Sequence, residues 1–533
     1  MRGAIRTVLA LGALIGNAAA GAPPEVAISL GEARALALEK NVDLRVEREN
    51  ATISASGESR AQGAWDPTLR ADARWRERTD PVNSILSGAP AGDLAPTGSS
   101  TGGTLGLVQL LPTGGTLALS TSLFYEKTNN VFAFLSPSWS TSFGVELRQP
   151  LLRNRAIDPA RQTLRIARID RTRSAAALRR VAAEIVASVE RAFWTLVAAR
   201  KDAEARLSAV ALAERQKADV DARVDAGTLS EADLAAPVAE IERRRGELFA
   251  AREAEARAEN ALKALLLADP ADALWASRLR TVEEPGEAAP APAETAVDVA
   301  AAESLRPEVA EAVARLERLA VDDEAARDRV RPQLDFVAGY VGRGLAGDQN
   351  PGIDPPFPIG ATTIPDAVNG GLGRSYGTIA EGRFPDASVG VALSLPLGNR
   401  VARADAATAR SARSQAELAL LRVRQQVGVE VRNAAAAVES ADQRVAAARA
   451  GRAAAETQLR AEEERFEAGL TTSFFVLTRQ NDLTQALLAE TKALSDLRAA
   501  RVERARAAGT LLQDRDIHVD DTEPARGPEG GPR

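Results

Sequence analysis

The chain has 533 residues, 45% of them hydrophobic and 26% charged, with 67 basic and 73 acidic side chains and a net charge of −6. This excludes a short peptide and a wholly disordered chain, and the interspersed charge offers no basic patch for nucleic acid. Cysteine is absent and His518 is the single histidine, so a disulfide framework, a zinc–thiolate site and a Cys–His nucleophile pair are excluded.

Arg2 and Arg6 precede a short apolar run over 8–15, and Ala18-Ala19-Ala20 fits a small-residue cleavage site. Residues 1–20 therefore read as a secretory signal peptide, with Gly21 as the first mature residue and no cysteine to carry a lipid. Residues 29–63 read as a helix, opened by a Ser29–Glu32 capping box and ended by Asp66-Pro67. The hydrophobic period then changes to two. In 68–76, Leu69, Ala71, Ala73 and Trp75 point one way while Arg70, Asp72, Arg74 and Arg76 point the other. The arginines then either line a water-filled lumen or solvate an edge strand. A loop is expected over 80–103. Strands follow at 104–111 and 116–125, joined by Pro112-Thr113-Gly114-Gly115, then a loop over 128–139 and a strand at 141–148.

One very long helix is expected from about 155 to 226, roughly 105 Å at 1.5 Å per residue. Gly227-Thr228-Leu229-Ser230 breaks it. A returning helix occupies about 231–268, with a kink expected at Pro237. The proline-rich stretch 269–300 reads as a linker or equatorial segment. The order then recurs: helix over about 303–330, strand 334–340, a Gly/Pro-rich loop 341–385, strand 388–397 and a long helix over about 401–468. Gly469-Leu470-Thr471-Thr472 breaks that helix, and another follows over 473–513. Residues 514–533 form a polar tail read as disordered.

Local matches support a duplication. Gln149-Pro150-Leu151-Leu152-Arg153-Asn154-Arg155 corresponds to Leu395-Pro396-Leu397-Gly398-Asn399-Arg400, and Arg223-Val224-Asp225-Ala226-Gly227 corresponds to Arg465-Phe466-Glu467-Ala468-Gly469. The domain reading is thus a leader at 1–20, a first repeat at 21–268, the linker at 269–300, a second repeat at 301–513 and the tail at 514–533. A period of about 240 residues is far longer than any solenoid repeat. A bare coiled-coil rod explains the helices but not strands with one apolar and one charged face. Such strands suit a barrel with lipid outside and water inside, closed by oligomerisation.

On these residues, from about 29 to 513, the chain resembles the TolC family of outer-membrane efflux channels. The fold class this implies is mainly α with β: duplicated long helical hairpins forming a periplasmic α-barrel, plus amphipathic strands forming a trimeric transmembrane β-barrel. The resemblance implies a homotrimer in outer-membrane lipid, with four strands per chain in a twelve-stranded barrel. It also implies a periplasmic adaptor and an inner-membrane pump as partners. The six strands read here exceed four. Either 104–111 and 116–125 extend a hairpin beyond the barrel, or the assignment near 68–76 is wrong.

Gly227, Thr228, Leu229, Ser230, Gly469, Leu470, Thr471 and Thr472 then become candidate adaptor-docking tips. Gly227 and Gly469 read equally as helix C-caps, and Leu229 and Leu470 either meet the adaptor or pack within their own hairpins. The family often carries acidic residues six and nine positions after the second tip glycine. Here those positions are Phe475 and Thr478, while the sixth position of the first repeat is Asp233. The expected gate is closed partly by Phe474 or Phe475, with Asp233 nearby. Trp75, Tyr125, Trp139 and Tyr340 are candidates for an interfacial girdle. No phosphate loop or catalytic constellation is present, so the reading is a passive exit duct, not an enzyme, with no cofactor and no bound metal. The alternative is a periplasmic coiled-coil scaffold or adaptor. The cargo is not legible.

Overall fold

The computed structural model describes residues 24–79, 81, 87–227, 230–283, 299–352, 363–468 and 470–519. The leader expected over 1–20 lies outside the described residues, as do 284–298 of the linker and 520–533 of the tail. The chain forms two compact units, and each draws on both halves of the sequence. One comprises Met1–Thr52, Arg173–Ala312 and Leu420–Arg533; the other comprises Ile53–Thr172 and Val313–Ala419.

The first unit is helical. A short strand β1 (Glu25–Ile28) leads into α1 (Leu30–Lys40), where Ser29 and Glu32 make the expected reciprocal cap. The predicted single helix over 29–63 is broken at Asn41, which precedes α2 (Val42–Gln62). The Asn41 side chain accepts hydrogen bonds from the Asp43 and Leu44 amides and donates to the Leu265 carbonyl, so a polar side chain replaces the lost helical bonds. The long helix α3 spans Pro159–Asp225. Its return, α4 (Ala235–Leu266), is preceded by a 3₁₀ turn at Glu231–Leu234. Pro237 therefore falls in the first turn of α4, where its missing N–H leaves no bond unmade, and the kink expected there has no cause.

A second short strand, β6 (Arg278–Thr281), pairs in parallel with β1, an element absent from the sequence reading. Helices α5 (Val299–Leu305) and α6 (Pro307–Val330) divide at Pro307. Helix α8 runs over Arg400–Glu467 and α9 over Ser473–Ala508, ending on Gly509 in the left-handed region, with α10 at Leu511–Asp514. The core joins Leu44, Leu178, Phe193, Trp194, Leu196, Leu262 and Leu266 with Ile28 and Leu279 of the strand pair. Buried Glu190 is held by Arg34 at 3.2 Å and Arg515 at 2.8 Å. Arg515 belongs to the stretch read as a loose tail, and Ile517 and Val519 also pack on buried clusters.

The second unit is built on one six-stranded antiparallel sheet in the order β2 (Thr68–Thr79), β3 (Thr97–Leu110), β4 (Thr116–Thr128), β5 (Leu135–Pro150), β7 (Gln333–Gln349) and β8 (Phe384–Ser394). The strand assigned near 68–76 is present. β2 is a full strand, and β3 and β4 are each paired on both sides inside the sheet. Strand β7 also extends well beyond the predicted 334–340. Its glycines read as loop signals, but Gly342 and Gly344 lie beneath helix α7 (Leu372–Ala380). A Cβ at Gly344 would collide with the Ser375 carbonyl oxygen and the Thr141 hydroxyl, and one at Gly342 would press on Ile379. Ser375 and Thr378 are fully buried against the sheet; the Ser375 hydroxyl bonds Thr141 and the Trp139 carbonyl.

The duplication is written in the backbone at the two strand-to-helix junctions. Asn154 before α3 and Asn399 before α8 both adopt left-handed φ, 67° and 42°. Asparagine tolerates this region better than most side chains. The Asn154 amide donates to Asp328 at 2.6 Å, and the Asn399 side chain donates to the Val330 carbonyl at 2.9 Å, so both junctions are tied to the end of α6.

Gly344→Val should displace α7 and destabilise the sheet unit by about 1–3 kcal/mol, seen as a lower unfolding temperature in detergent. Gly106→Val on β3, where a Cβ would meet only the Leu119 carbonyl oxygen at 3.8 Å, should change it little. In the helical unit, hydrogen bonding from Arg506 holds the Glu503 carboxyl below its ordinary value, against a smaller opposing effect of burial. A depressed carboxyl stabilises the fold above the unfolded value and loses that contribution as pH falls through it. Unfolding temperature should therefore drop below about pH 4.5, less steeply in Arg506→Gln.

Candidate functional site

The two hairpin turns lie within the helical unit. At the first, the chain leaves α3 through Gly227, whose φ of +73° ends the helix and whose amide donates to the Val224 carbonyl. At the second, the Leu470 amide donates to the Arg465 carbonyl at 2.8 Å, and the Thr471 hydroxyl donates to Glu462 at 2.6 Å. Thr472 is the extended N-cap residue of α9, and its side chain makes no capping bond. Leu470 is 78% exposed. Ser230 is exposed. Thr228, Leu229 and Gly469 lie outside the described residues, and Asp233 is placed only as part of the 3₁₀ turn before α4.

Helix α9 turns Val476 inward and leaves Phe474 and Phe475 exposed at 67% and 51%. Their rings meet edge to face, 5.6 Å between centroids. Thr478 is exposed on the next turn and returns its hydroxyl to the Phe474 carbonyl. The second turn thus presents an apolar step of Leu470, Phe474 and Phe475 above a polar shoulder. Of the expected gate residues, the structure brings Phe474, Phe475 and Thr478 together.

One contact here was not read from the sequence. The Arg223 guanidinium lies over the Phe466 ring, 5.3 Å from its centroid. The repeat alignment places these residues one position apart in the two turn motifs, so the contact couples one hairpin to the other. Such a contact at an exposed position is worth about 0.5–1 kcal/mol. The signal was available as an arginine and an aromatic in matched motifs, but pairing across about 240 residues of sequence is invisible to local reading.

The sheet unit carries the second set of candidates. Register places Trp75, Thr101, Tyr125, Trp139 and Ala346 in one row across five strands, and Tyr125 and Trp139 meet at 4.5 Å between ring centroids. Tyr340 belongs to a lower row with Leu69, Leu107, Leu119, Val145 and Ala387, so the four aromatics do not form a single ring. Tyr376 of α7, also unread, joins the upper group through its hydroxyl, 3.1 Å from that of Thr121. All these side chains share one face of the sheet. The other face holds Arg70, Asp72, Arg74 and Arg76 of β2, Glu146 and Arg148 of β5, Asp335 and Arg343 of β7, and Asp386 of β8. Arg148–Asp335 at 2.6 Å and Arg343–Asp386 at 2.9 Å are ion pairs on that face. Among the described residues, no helix is long and apolar enough to cross a membrane, and no group of three metal-ligating side chains comes together.

Comparison with known proteins agrees with this arrangement. Residues 299–510 match the family model for outer membrane efflux proteins. That match covers the second half of the chain. Solved structures share the fold over nearly the whole chain. The CmeC outer membrane channel of Campylobacter jejuni superposes with a TM-score of 0.61 at 15% identity, over 90% of this chain and 86% of CmeC. The open-state MtrE channel of Neisseria gonorrhoeae gives 0.58 at 16%, over 91% and 89%. The outer membrane protein VceC of Vibrio cholerae gives 0.59 at 16%, over 90% and 96%. No curated protein matches the chain by sequence.

If the turn residues close a pore, Phe475→Ala should raise single-channel conductance in a planar bilayer. Arg223→Ala should raise the open fraction without changing conductance of the fully open state. Unchanged traces from both variants would remove the gate from these residues.

Proposed function

We propose that this chain is the outer-membrane exit duct of a tripartite efflux or type I secretion system. Three copies form a passive channel: the strands cross the outer membrane and the helical hairpins form a periplasmic tunnel. A periplasmic adaptor docks at the two hairpin turns and an inner-membrane pump supplies the energy. The observation that carries this reading is the two-faced sheet. Val389, Val391 and Leu393 of β8 are 76%, 63% and 67% exposed, alongside exposed Leu69 and Trp75 of β2. An apolar face of this extent is stable against lipid and costly against water. The opposite, ion-paired face suits a wet lumen.

Opening is conformational. Four features at the turns support a closure that can be undone by a docked partner: the exposed apolar step, the inter-hairpin Arg223–Phe466 contact, small residues beside Gly227, and uncapped Thr472. No bond is made or broken in the cargo, so the lining selects by size and charge alone. The mature protein begins at Gly21, after removal of an export leader. A periplasmic scaffold is the weaker reading, because its sheet would leave the same apolar face in water.

Membrane-extracted particles should have a protein mass of about 160 kDa, three chains of 56.1 kDa less their leaders, by light scattering in detergent. They should resist carbonate extraction. A soluble monomer or dimer would overturn the duct and favour the scaffold.

A further inference from the structure

The sheet is open, and its two edges are long. β2 offers 12 residues and β8 offers 11, and among the described residues neither has a neighbour on its outer side. Read as a membrane element, this is untenable for one copy, because unpaired N–H and C=O groups cannot remain in hydrocarbon. We propose that β8 of one copy pairs with β2 of the next, so that three copies close a barrel of eighteen strands in which all six strands of each chain take part. This rests on the trimeric reading and departs from the four strands per chain that the family resemblance implied.

Three features of the edges carry the pairing. First, six antiparallel strands leave β2 and β8 running in opposite directions, so their contact is antiparallel like every other in the sheet. A head-to-tail contact of this kind closes into a ring. Second, the faces agree. Leu69, Ala71, Ala73 and Trp75 of β2, and Ala387, Val389, Val391 and Leu393 of β8, lie on the same apolar face. Pairing odd with odd positions keeps that face continuous around the ring, whereas a slip of one residue would put arginines into lipid. Third, the polar faces fit. β2 carries Arg70, Asp72, Arg74, Arg76 and Arg78 on this face, while β8 carries Phe384 and Asp386 and then only small residues, Ser388, Gly390, Ala392 and Ser394. The small residues leave room for the guanidinium groups, and Asp386 supplies a counter-charge.

The inner hairpin β3–β4 cannot be set aside cheaply. β3 pairs with the whole of β2 over 12 registered positions and with β4 over 13. Removing β2 and β3 from the wall would break the β3–β4 ladder and expose a new edge on β4. With strands about 4.8 Å apart and tilted about 40°, eighteen strands close at a diameter of about 36 Å, against about 24 Å for twelve. The duct would then be half again as wide in the membrane as a twelve-stranded one.

The chain has no cysteine, so introduced pairs report cleanly. Full-length Arg74→Cys is combined in turn with Asp386→Cys, Ser388→Cys and Gly390→Cys to allow for register, and cross-linked in native outer membranes with a short bis-maleimide. Ser120→Cys on β4 is combined with the same three. The expected result is a covalent trimer on denaturing gels from at least one β2–β8 pair and only monomer from the β4–β8 pairs. A trimer from β4–β8 would overturn the strand count while leaving the trimeric duct intact. No cross-link in either set, with a three-chain mass in detergent, would overturn the edge pairing alone. A one-chain mass would overturn the trimeric reading beneath it.

Discussion

A backbone polar group cannot be left unpaired where there is no water, and most of this molecule's design follows from that constraint. Helices satisfy their own bonds, but none here is apolar enough to enter a bilayer among the described residues. Among the described residues the sheet unit carries the large exposed apolar face, and it satisfies its inner strands through five antiparallel ladders. Alternation then does the rest. Because side chains point to opposite faces with period two, one run such as Leu69 to Arg76 presents an apolar and a charged face at once. The pairing register carries that division across all six strands without a break of face.

The helical unit solves a different problem. Between α8 and α9 its packing relies on close approach of small and medium side chains. The Val438, Ala441 and Val445 stripe of α8 meets Ala493 and Leu497 of α9 in this way. Phe193, Trp194, Leu196 and Leu262 pack together near the β1–β6 pair. A buried carboxylate, Glu190, is tolerated there because two arginines share it. Losing either would leave a charge without full compensation. Duplication gives both halves one device for turning a strand into a helix, an asparagine in the left-handed region held to the end of α6.

The turns at the far ends of these helices are lightly held by comparison. Among the described residues their contacts include backbone bonds, a Thr471–Glu462 hydrogen bond, an Arg465–Glu462 ion pair and a cation–π contact between hairpins. Few buried contacts mean a low local free energy of opening. This separates the turns from the densely packed segment around Phe193.

Much of this was legible in the chain itself. Period-two alternation marked every strand of the large sheet, and glycine breaks, a capping box and matched motifs marked the helices, the turns and the duplication. These signals are local, and they depend on side-chain direction and backbone freedom that each residue carries with it. What only the tertiary structure decided depends on partners distant in sequence. Gly342 and Gly344 read as loop because a missing side chain looks the same whether it frees a turn or admits a helix; the packing of α7 makes them strand. Pro237 read as a kink because helix start was not visible one turn upstream. β1 and β6 are four residues each, too short for a period, and exist only because they pair across about 250 positions. Arg223 over Phe466 and Glu190 between Arg34 and Arg515 are likewise products of the fold. The residue types set what each segment was able to become, and the contacts made at a distance selected which of those states is occupied.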